Sequence, residues 1–322
     1  MDLQEAVSIS KRVHANVSEV IVGKSEVIEL LLAALFGNGH VLLEDVPGTG
    51  KTLLAKSLAR SLNGQFKRIQ FTPDLLPSDL SGINFYNQKT SEFEFRPGPV
   101  FTEVLLADEI NRATPRTQSS LLECMEERQV TIDGITHDLG SPFFVMATQN
   151  PVDNQGTFPL PEAQLDRFLM RIKVGYPTHE EGVDILQRFQ VRNPLEELIP
   201  VVSGEEVAAV QRFVAGITVS MDLLNYIVHI TEATRKHPDV RLGASPRAST
   251  ALMRAAQGIA LLQGRDYVTP DDIKRVAEPV LAHRLIVRHG LRPDDRQSEA
   301  VVRQVLGEVE VPAEGIPIGR GK

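Results

Sequence analysis

At 322 residues with a formal net charge of −8 and a pI near 5.6, the chain is long enough for two packed units and lacks the broad basic surface of a general nucleic-acid binder. Cys124 is the single cysteine, so an internal disulfide is excluded, and its helical, apolar neighbours predict a buried thiol. The longest apolar stretch, Leu30 to Phe36, is too short to span a bilayer, and MDLQEAVSIS at the start lacks the segments of a secretory leader, so the expectation is a soluble, cytoplasmic protein.

Apolar residues recur at helical spacing over Leu3 to Val20 and Ser25 to Phe36, and Gly37-Asn38-Gly39 stops the second helix before a strand over His40 to Glu44. A helix from Lys51 to about Leu62 ends at Asn63-Gly64, and Phe66 to Phe71 reads as the next strand. Two hairpins follow in outline, Ile83 to Tyr86 with Phe93 to Arg96, and Gln129 to Ile132 with Ile135 to Leu139 across Asp133-Gly134. Between and after them lie a buried strand over Val104 to Ala107, a helix over Thr114 to Glu127 and a buried strand over Phe143 to Thr148. Alternation of this kind predicts an α/β fold with a doubly wound parallel sheet and two inserted hairpins. Beyond Tyr176-Pro177 helices dominate: Thr178 to Gln190, Ser203 to Ala215, Met221 to Lys236, Pro246 to Leu262 and Pro270 to Val287. Ser203 and Glu206 have capping-box spacing, and Thr269-Pro270 supplies an N-cap with proline at N1. The expected organisation is an α/β core over residues 1–177, a smaller all-α domain over 178–311 and a loose tail over 312–322.

Chemistry concentrates first at Glu44 to Thr52, EDVPGTGKT, where an apolar strand, a glycine turn and a helix opened by Lys51-Thr52 form a phosphate-wrapping geometry. Asp45 stands where the usual motif has its first glycine, and Pro47 can stiffen the turn there. Gly48, Thr49 and Gly50 bring backbone close to a nucleotide, Lys51 suits its β and γ phosphates, and Thr52 offers a hydroxyl to Mg²⁺. The second concentration is Asp108-Glu109 at the end of the apolar strand Val104 to Ala107. Paired carboxylates at a buried strand end are costly unless a cation or polar site receives them. Asp108 is placed to hold the metal and Glu109 to polarise an attacking water; solvated acids closing a strand are the plainer alternative. The eight histidines are scattered without metal-ligand spacing, and no G-x-S-x-G elbow is present.

The segments VLLEDVPGTGKT, VLLADEINRATPRTQSSLLECMEE, MATQNP and LPEAQLDRF occur in the order seen in AAA+ ATPases, and their wording resembles the MoxR family over roughly Val20 to Leu285. The resemblance implies a P-loop AAA+ core and helical lid that bind ATP with Mg²⁺ at subunit boundaries of a ring homo-oligomer, usually a hexamer. It further implies that Asn150 is sensor 1, orienting water beside Glu109, although a loop-capping asparagine would look the same. Arg167 matches the arginine finger that reaches a neighbour's γ-phosphate; an ion pair with Asp166 or Glu162 is the ordinary alternative. Arg247 matches sensor 2, serving its own nucleotide or a neighbour's, or else is a solvated first-turn arginine. Val22 and Gly23 match the segment that passes the adenine, though Val22 could equally be core. Asn111 and Arg112 belong to the same signature without an assigned role.

For the target of the motor, the resemblance implies chaperone-like assembly or activation of a client protein complex with a von Willebrand factor A domain partner. Two alternatives stay open: a motor subunit of a magnesium-chelatase-like metal-insertion complex, and a helicase-like nucleic-acid motor. The hairpins weigh against the last, since Lys89 and Arg96 are offset by Glu92 and Glu94, and Arg128 faces Asp133 and Asp138. Phe93 and Phe95 share one strand face, suited to packing or to a polypeptide in a pore. The hairpins are thus either surface decoration or working loops of a ring.

Overall fold

The computed structural model describes residues 1–44, 48–149, 156–191, 193–288 and 295–312. Two helices lead in, α1 (Leu3–Val20), capped by the Asp2 carboxylate accepting from the Glu5 N–H, and α2 (Ser25–Phe36), whose apolar residues are nearly all buried. They precede β1 (Val41–Glu44), α3 (Lys51–Ser61) and β2 (Phe66–Gln70). A short helix α4 (Pro77–Ser81), absent from the sequence reading, carries the chain into the first hairpin, β3 (Gly82–Asn87) and β4 (Glu92–Pro97). Next come β5 (Val104–Asp108), α5 (Pro115–Glu127), the second hairpin β6 (Gln129–Ile132) and β7 (Ile135–Asp138), then β8 (Phe144–Gln149), α6 (Glu162–Leu165) and β9 (Met170–Ile172).

Five strands form one parallel sheet in the order β2-β5-β8-β1-β9. Continuous apolar runs such as Val104-Leu105-Leu106-Ala107 are buried on both faces, as a parallel sheet covered twice requires. One face packs on α5 through Leu42, Leu105, Leu121, Val145 and Phe168. The other packs on α1, α2 and α3, and its apolar cluster runs without a break into the helices that follow. On the α5 face, Cys124 is buried, with burial pushing its thiol up to about 12, so it stays protonated.

The helical region contains α7 (His179–Val191), α8 (Pro194–Glu197), α9 (Gly204–Ala215), α10 (Met221–Lys236), a strand β10 (Val240–Leu242), α11 (Pro246–Leu262) and α12 (Pro270–Leu281). Then come β11 (Ile286–Val287) and α13 (Asp295–Glu308). Ser203 and Glu206 form the expected reciprocal cap, and Ser245 caps α11 by accepting from the Ala248 N–H. The helix expected over Pro270 to Val287 is corrected: it ends at Leu281, because Ala282–Arg284 tightens into a 3-10 turn and Ile286–Val287 pairs antiparallel with β10. The region is therefore helical with one two-stranded ribbon. Lid helix α11 lies against α2 so closely that a Cβ on Gly258 would meet the Ala33 carbonyl oxygen at 2.5 Å.

The hairpins are tied together. Phe95 stacks on His137 at 4.4 Å between ring centres, and the Asn84 amide donates to the Asp133 carboxylate at 2.7 Å. Among the described residues, no helix is long and apolar enough to cross a membrane.

Two buried histidines make stability depend on acid. The Val145 N–H donates to His40 Nδ1 at 3.0 Å, so His40 Nε2 carries the proton toward the Met125 carbonyl at 3.1 Å. Burial first, and Arg128 second, lower His40 from 6.5 to about 3; burial and then Arg284 and Arg171 lower His283 as well. The unfolded chain gains these protons below pH 6.5 and the folded chain does not, so stability is full above 6.5 and falls as pH drops toward 3. Urea midpoints should decline between pH 7 and 5.5, and His40→Gln should reduce that slope by about one proton. An unchanged slope in the variant would remove His40 from the account.

Candidate active site

The carboxyl ends of parallel strands are where an open α/β sheet receives ligands. Here β1 ends at Glu44, β2 at Gln70, β5 at Asp108 and β8 at Gln149, and register brings Gln70 beside Asp108 and Leu43 beside Thr148. Gly48 and Gly50 both have φ of +86°, and a Cβ built on either would meet nothing within 4 Å. The turn is thus left-handed backbone facing open space, the form a phosphate cradle needs. Gly50 caps α3, so Lys51 and Thr52 occupy its first turn, both half-buried. Pro47 lies outside the described residues, as do Asp45 and Asn150.

Asp108 and Glu109 are held by neighbours that the motif reading did not include. The Thr148 hydroxyl donates to Asp108 Oδ1 at 2.6 Å and accepts from the Glu109 N–H at 2.8 Å. Arg68, on β2, binds Asp108 Oδ2 through Nε at 3.1 Å and a terminal nitrogen at 2.6 Å. Glu109 takes a left-handed φ of +57°, turning its side chain out of the strand line, where Gln70 Nε2 at 2.9 Å and Arg112 Nε at 2.7 Å reach its Oε2. Arg112, without a role in the sequence reading, thus braces Glu109. Arg68 and Gln70 alternate with apolar residues on an ordinary strand, so only the register with β5 reveals them. At the base of the loop, Glu44 pairs with Arg171 of β9 at 2.9 Å, both side chains nearly buried. These residues fit a metal-nucleotide: open backbone, a helix start with Lys51 and Thr52, and an acid already balanced by a cation.

Val22 and Gly23 line a different wall, a cavity of about 570 Å³ shared with Glu181, Asp184 and Arg188 of α7. Val22 is half-buried rather than core, and Glu181 crosses Gly23 so closely that any Cβ there would collide.

Arg167 and Arg247 sit at the opposite end of the sheet. The Leu169 N–H donates to the carbonyl of His40, just before β1, so Arg167 lies past the amino edge while the glycine turn lies past the carboxyl edge. Four residues of strand at about 3.3 Å each keep the two apart by at least about 13 Å. Among the described residues, Arg167 makes no ion pair with Asp166 or Glu162; it donates to the Leu122 carbonyl at 2.9 Å, and its buried Nε meets no acceptor. Asp166 is taken by Arg284 Nε at 2.7 Å and the Ser245 hydroxyl at 2.9 Å. Arg247, in the first turn of α11, pairs with Glu126 at 2.8 Å and shares one cleft with Arg167.

Residues 40–170 match the family model described as ATPase family associated with various cellular activities (AAA), and residues 232–305 match the AAA lid domain. The chain is 44% identical over 319 residues to Chaperone MoxR1 of Mycobacterium tuberculosis, covering 96% of this chain and 84% of that one. It is 52% identical over 299 residues to the YeaC protein of Bacillus subtilis, 93% of each chain. A crystal structure from Cytophaga hutchinsonii superposes with a TM-score of 0.87 at 39% identity, covering 96% of this chain and 98% of that one. An MCM homolog of Methanopyrus kandleri, at 19% identity and TM-score 0.59, shares the fold alone, over 88% of this chain and 62% of that one.

Thr148 is 1% exposed, so its hydroxyl cannot be replaced by water. Thr148→Val should lower the nucleotide-free protein's stability by about 1–3 kcal/mol, since an acceptor and an N–H lose their partner, and Thr148→Ser should recover most of it. Equal melting of Thr148→Val and the parent would show that the hydroxyl does not hold the acids.

Proposed function

The chain belongs to the MoxR family of AAA+ ATPases, and we propose that it hydrolyses ATP at the boundaries of a homo-oligomeric ring, a hexamer, to assemble or activate client protein complexes. The observation that carries this reading is the division of one chain's ATPase groups between opposite ends of its sheet. The glycine turn, Asp108, Glu109 and Thr148 crowd the carboxyl edge, while Arg167 and Arg247 line a cleft at the amino edge. A subunit cannot bring both sets to one nucleotide, whereas two copies placed edge to edge can. On this reading Arg247, like Arg167, serves the neighbour's nucleotide. Residues 1–177 act as the core, 178–311 as the lid and 312–322 as a tail.

In that arrangement the Gly48-Thr49-Gly50 backbone and Lys51 bind the phosphates, and Val22 and Gly23 pass the adenine. Bound Mg²⁺ would neutralise charge developing on the phosphates, and Thr52 and Asp108 are the residues that would hold it. Arg68 pairs with Asp108 Oδ2, so the carboxylate that would hold the cation is already balanced by a positive charge from the next strand. Glu109 takes the proton from the attacking water, which requires its Oε2 to relax from Gln70 and Arg112. Thr148 fixes the backbone turn from which Glu109 reaches out. Asn150, two residues beyond Thr148, is assigned to orient the water.

The hairpins favour a protein client. Tyr86 and Phe93, opposite each other in register and packed edge to face at 5.4 Å, are 52% and 74% exposed. With as many acids as bases on the same hairpin, such a tip suits polypeptide better than phosphates. A von Willebrand factor A domain protein is the proposed partner; copurification of a chelatase instead would turn the reading to metal insertion. Retention of forked DNA at physiological salt by ATP-loaded Glu109→Gln protein, with no protein partner, would turn it to nucleic acid.

Glu109→Gln should keep ATP binding and lose turnover by at least about a hundredfold; near-parental hydrolysis would sink its assignment. Arg167→Ala, mixed into parental rings at fixed total protein, should depress activity more steeply than its mole fraction. Simple dilution would argue that the finger does not act across a boundary.

A further inference from the structure

The cleft that holds Arg167 and Arg247 has about 290 Å³ of space and an excess of positive charge. Five arginines line it against two carboxylates, Glu126 and Asp166, and both carboxylates are already engaged, by Arg247 and by Arg284. In a chain with net charge −8, a pocket that keeps cations together without counter-charge is costly unless an anion comes from outside.

One of these arginines has no task so far. Arg254 is exposed at the cleft wall and, among the described residues, its guanidinium makes no hydrogen bond or ion pair. It lies seven residues after Arg247 on α11, hence on the same helix face about 10.5 Å further along. Its helix is fixed: Gly258 packs on Ala33, and the Arg254 carbonyl lies against Gly37. Arg128 faces it from the floor, with guanidinium bonds to the carbonyls of Phe143 at 2.6 Å and Asn38 at 2.8 Å, so that cation is committed to structure. Burial first, and the proximity of Arg254 second, push Arg128 down to about 10.

We propose that Arg254 is a third trans-acting cation, reaching across the subunit boundary with Arg167 and Arg247 to bind the phosphates of the neighbour's nucleotide. The inference rests on the reading that the ATPase site is shared between subunits. The ligand class follows from the cleft: the guanidinium of Arg254, gathered with those of Arg167 and Arg247 around one small space, suits a compact polyphosphate. Arg254 would add charge and a hydrogen bond beside the finger without competing for Glu126.

The test is complementation between full-length variants. Arg254→Ala keeps its own glycine turn, Asp108 and Glu109; Lys51→Ala keeps all the arginines and lacks a working phosphate loop. Arg254→Ala alone should lose about ten- to hundredfold in turnover, the worth of a charged hydrogen bond, with an unchanged melting curve, and Arg254→Lys should be intermediate. Mixing it with Lys51→Ala should raise turnover above either protein alone, because a Lys51→Ala subunit then presents its Arg254 to an intact neighbour. Arg167→Ala with Lys51→Ala is the parallel arm. If Arg167→Ala is complemented but Arg254→Ala turns over like the parent, or is impaired and not complemented, the role of Arg254 is overturned and the shared site stands. If Arg167→Ala is not complemented either, the shared site fails and this inference with it. If Arg254→Ala keeps parental turnover but loses affinity for a single-stranded oligonucleotide, the cleft serves a nucleic acid and the proposal is wrong.

Discussion

The buried guanidinium of Arg284 is the contact on which the relation between sheet and lid depends. It is 5% exposed and gives hydrogen bonds to the Asp166 carboxylate and to the backbone carbonyls of Asp166, Phe168, Leu169 and Val280. Burial lowers its affinity for a proton, and the Asp166 carboxylate offsets part of that loss. Removing the acid would leave a charge in the interior with carbonyl dipoles only. The bonds gather the segment before β9, the end of α12 and, through Ser245, the cap of α11. A helical layer that could have been tethered by a linker is instead bolted to one edge of the sheet.

That bolt decides which edge carries which chemistry. The carboxyl edge must stay open for a nucleotide, so its polar groups are braced sideways, Thr148 against Asp108 and Glu109, Arg68 and Gln70 from the next strand. The amino edge is closed by the lid, and five arginines line the cleft there. The apolar cluster that runs from α1 through α11 and α12 keeps the two edges at a fixed distance.

Much of this was legible in the residues. Apolar runs and glycine stops marked four of the five sheet strands and both hairpins to within a residue or two, because buried parallel strands and tight turns have strong local signals. The three-residue strand β9 was missed because Met170-Arg171-Ile172 is short and carries a charge, which only its pairing with Glu44 accommodates. The end of α12 was misplaced because apolar spacing continues past Leu281, where Arg284 and the β10 pairing take over. At the site, Asp108, Glu109 and the glycine turn could be read because their function requires contiguous residues. Arg68, Gln70 and Thr148 could not, since they meet the acids only through sheet register. The same limit applies to Arg247: its position in a helix start was evident, but whether it faces its own phosphate loop depends on where Asp166 holds that helix.

Asp166 divides its two oxygens, one for Arg284 at the end of the lid and one for Ser245 at the start of α11. Arg167 is the next residue in the chain, and Arg247 is two residues past Ser245. The core arginine and the lid arginine are therefore referred to one carboxylate, and neither backbone can shift without stretching a bond to it. Within a packed interior such a joint deforms in discrete steps rather than smoothly. The positions of both arginines are accordingly set by the same carboxylate, which meets the cap of α11 and the end of α12 directly.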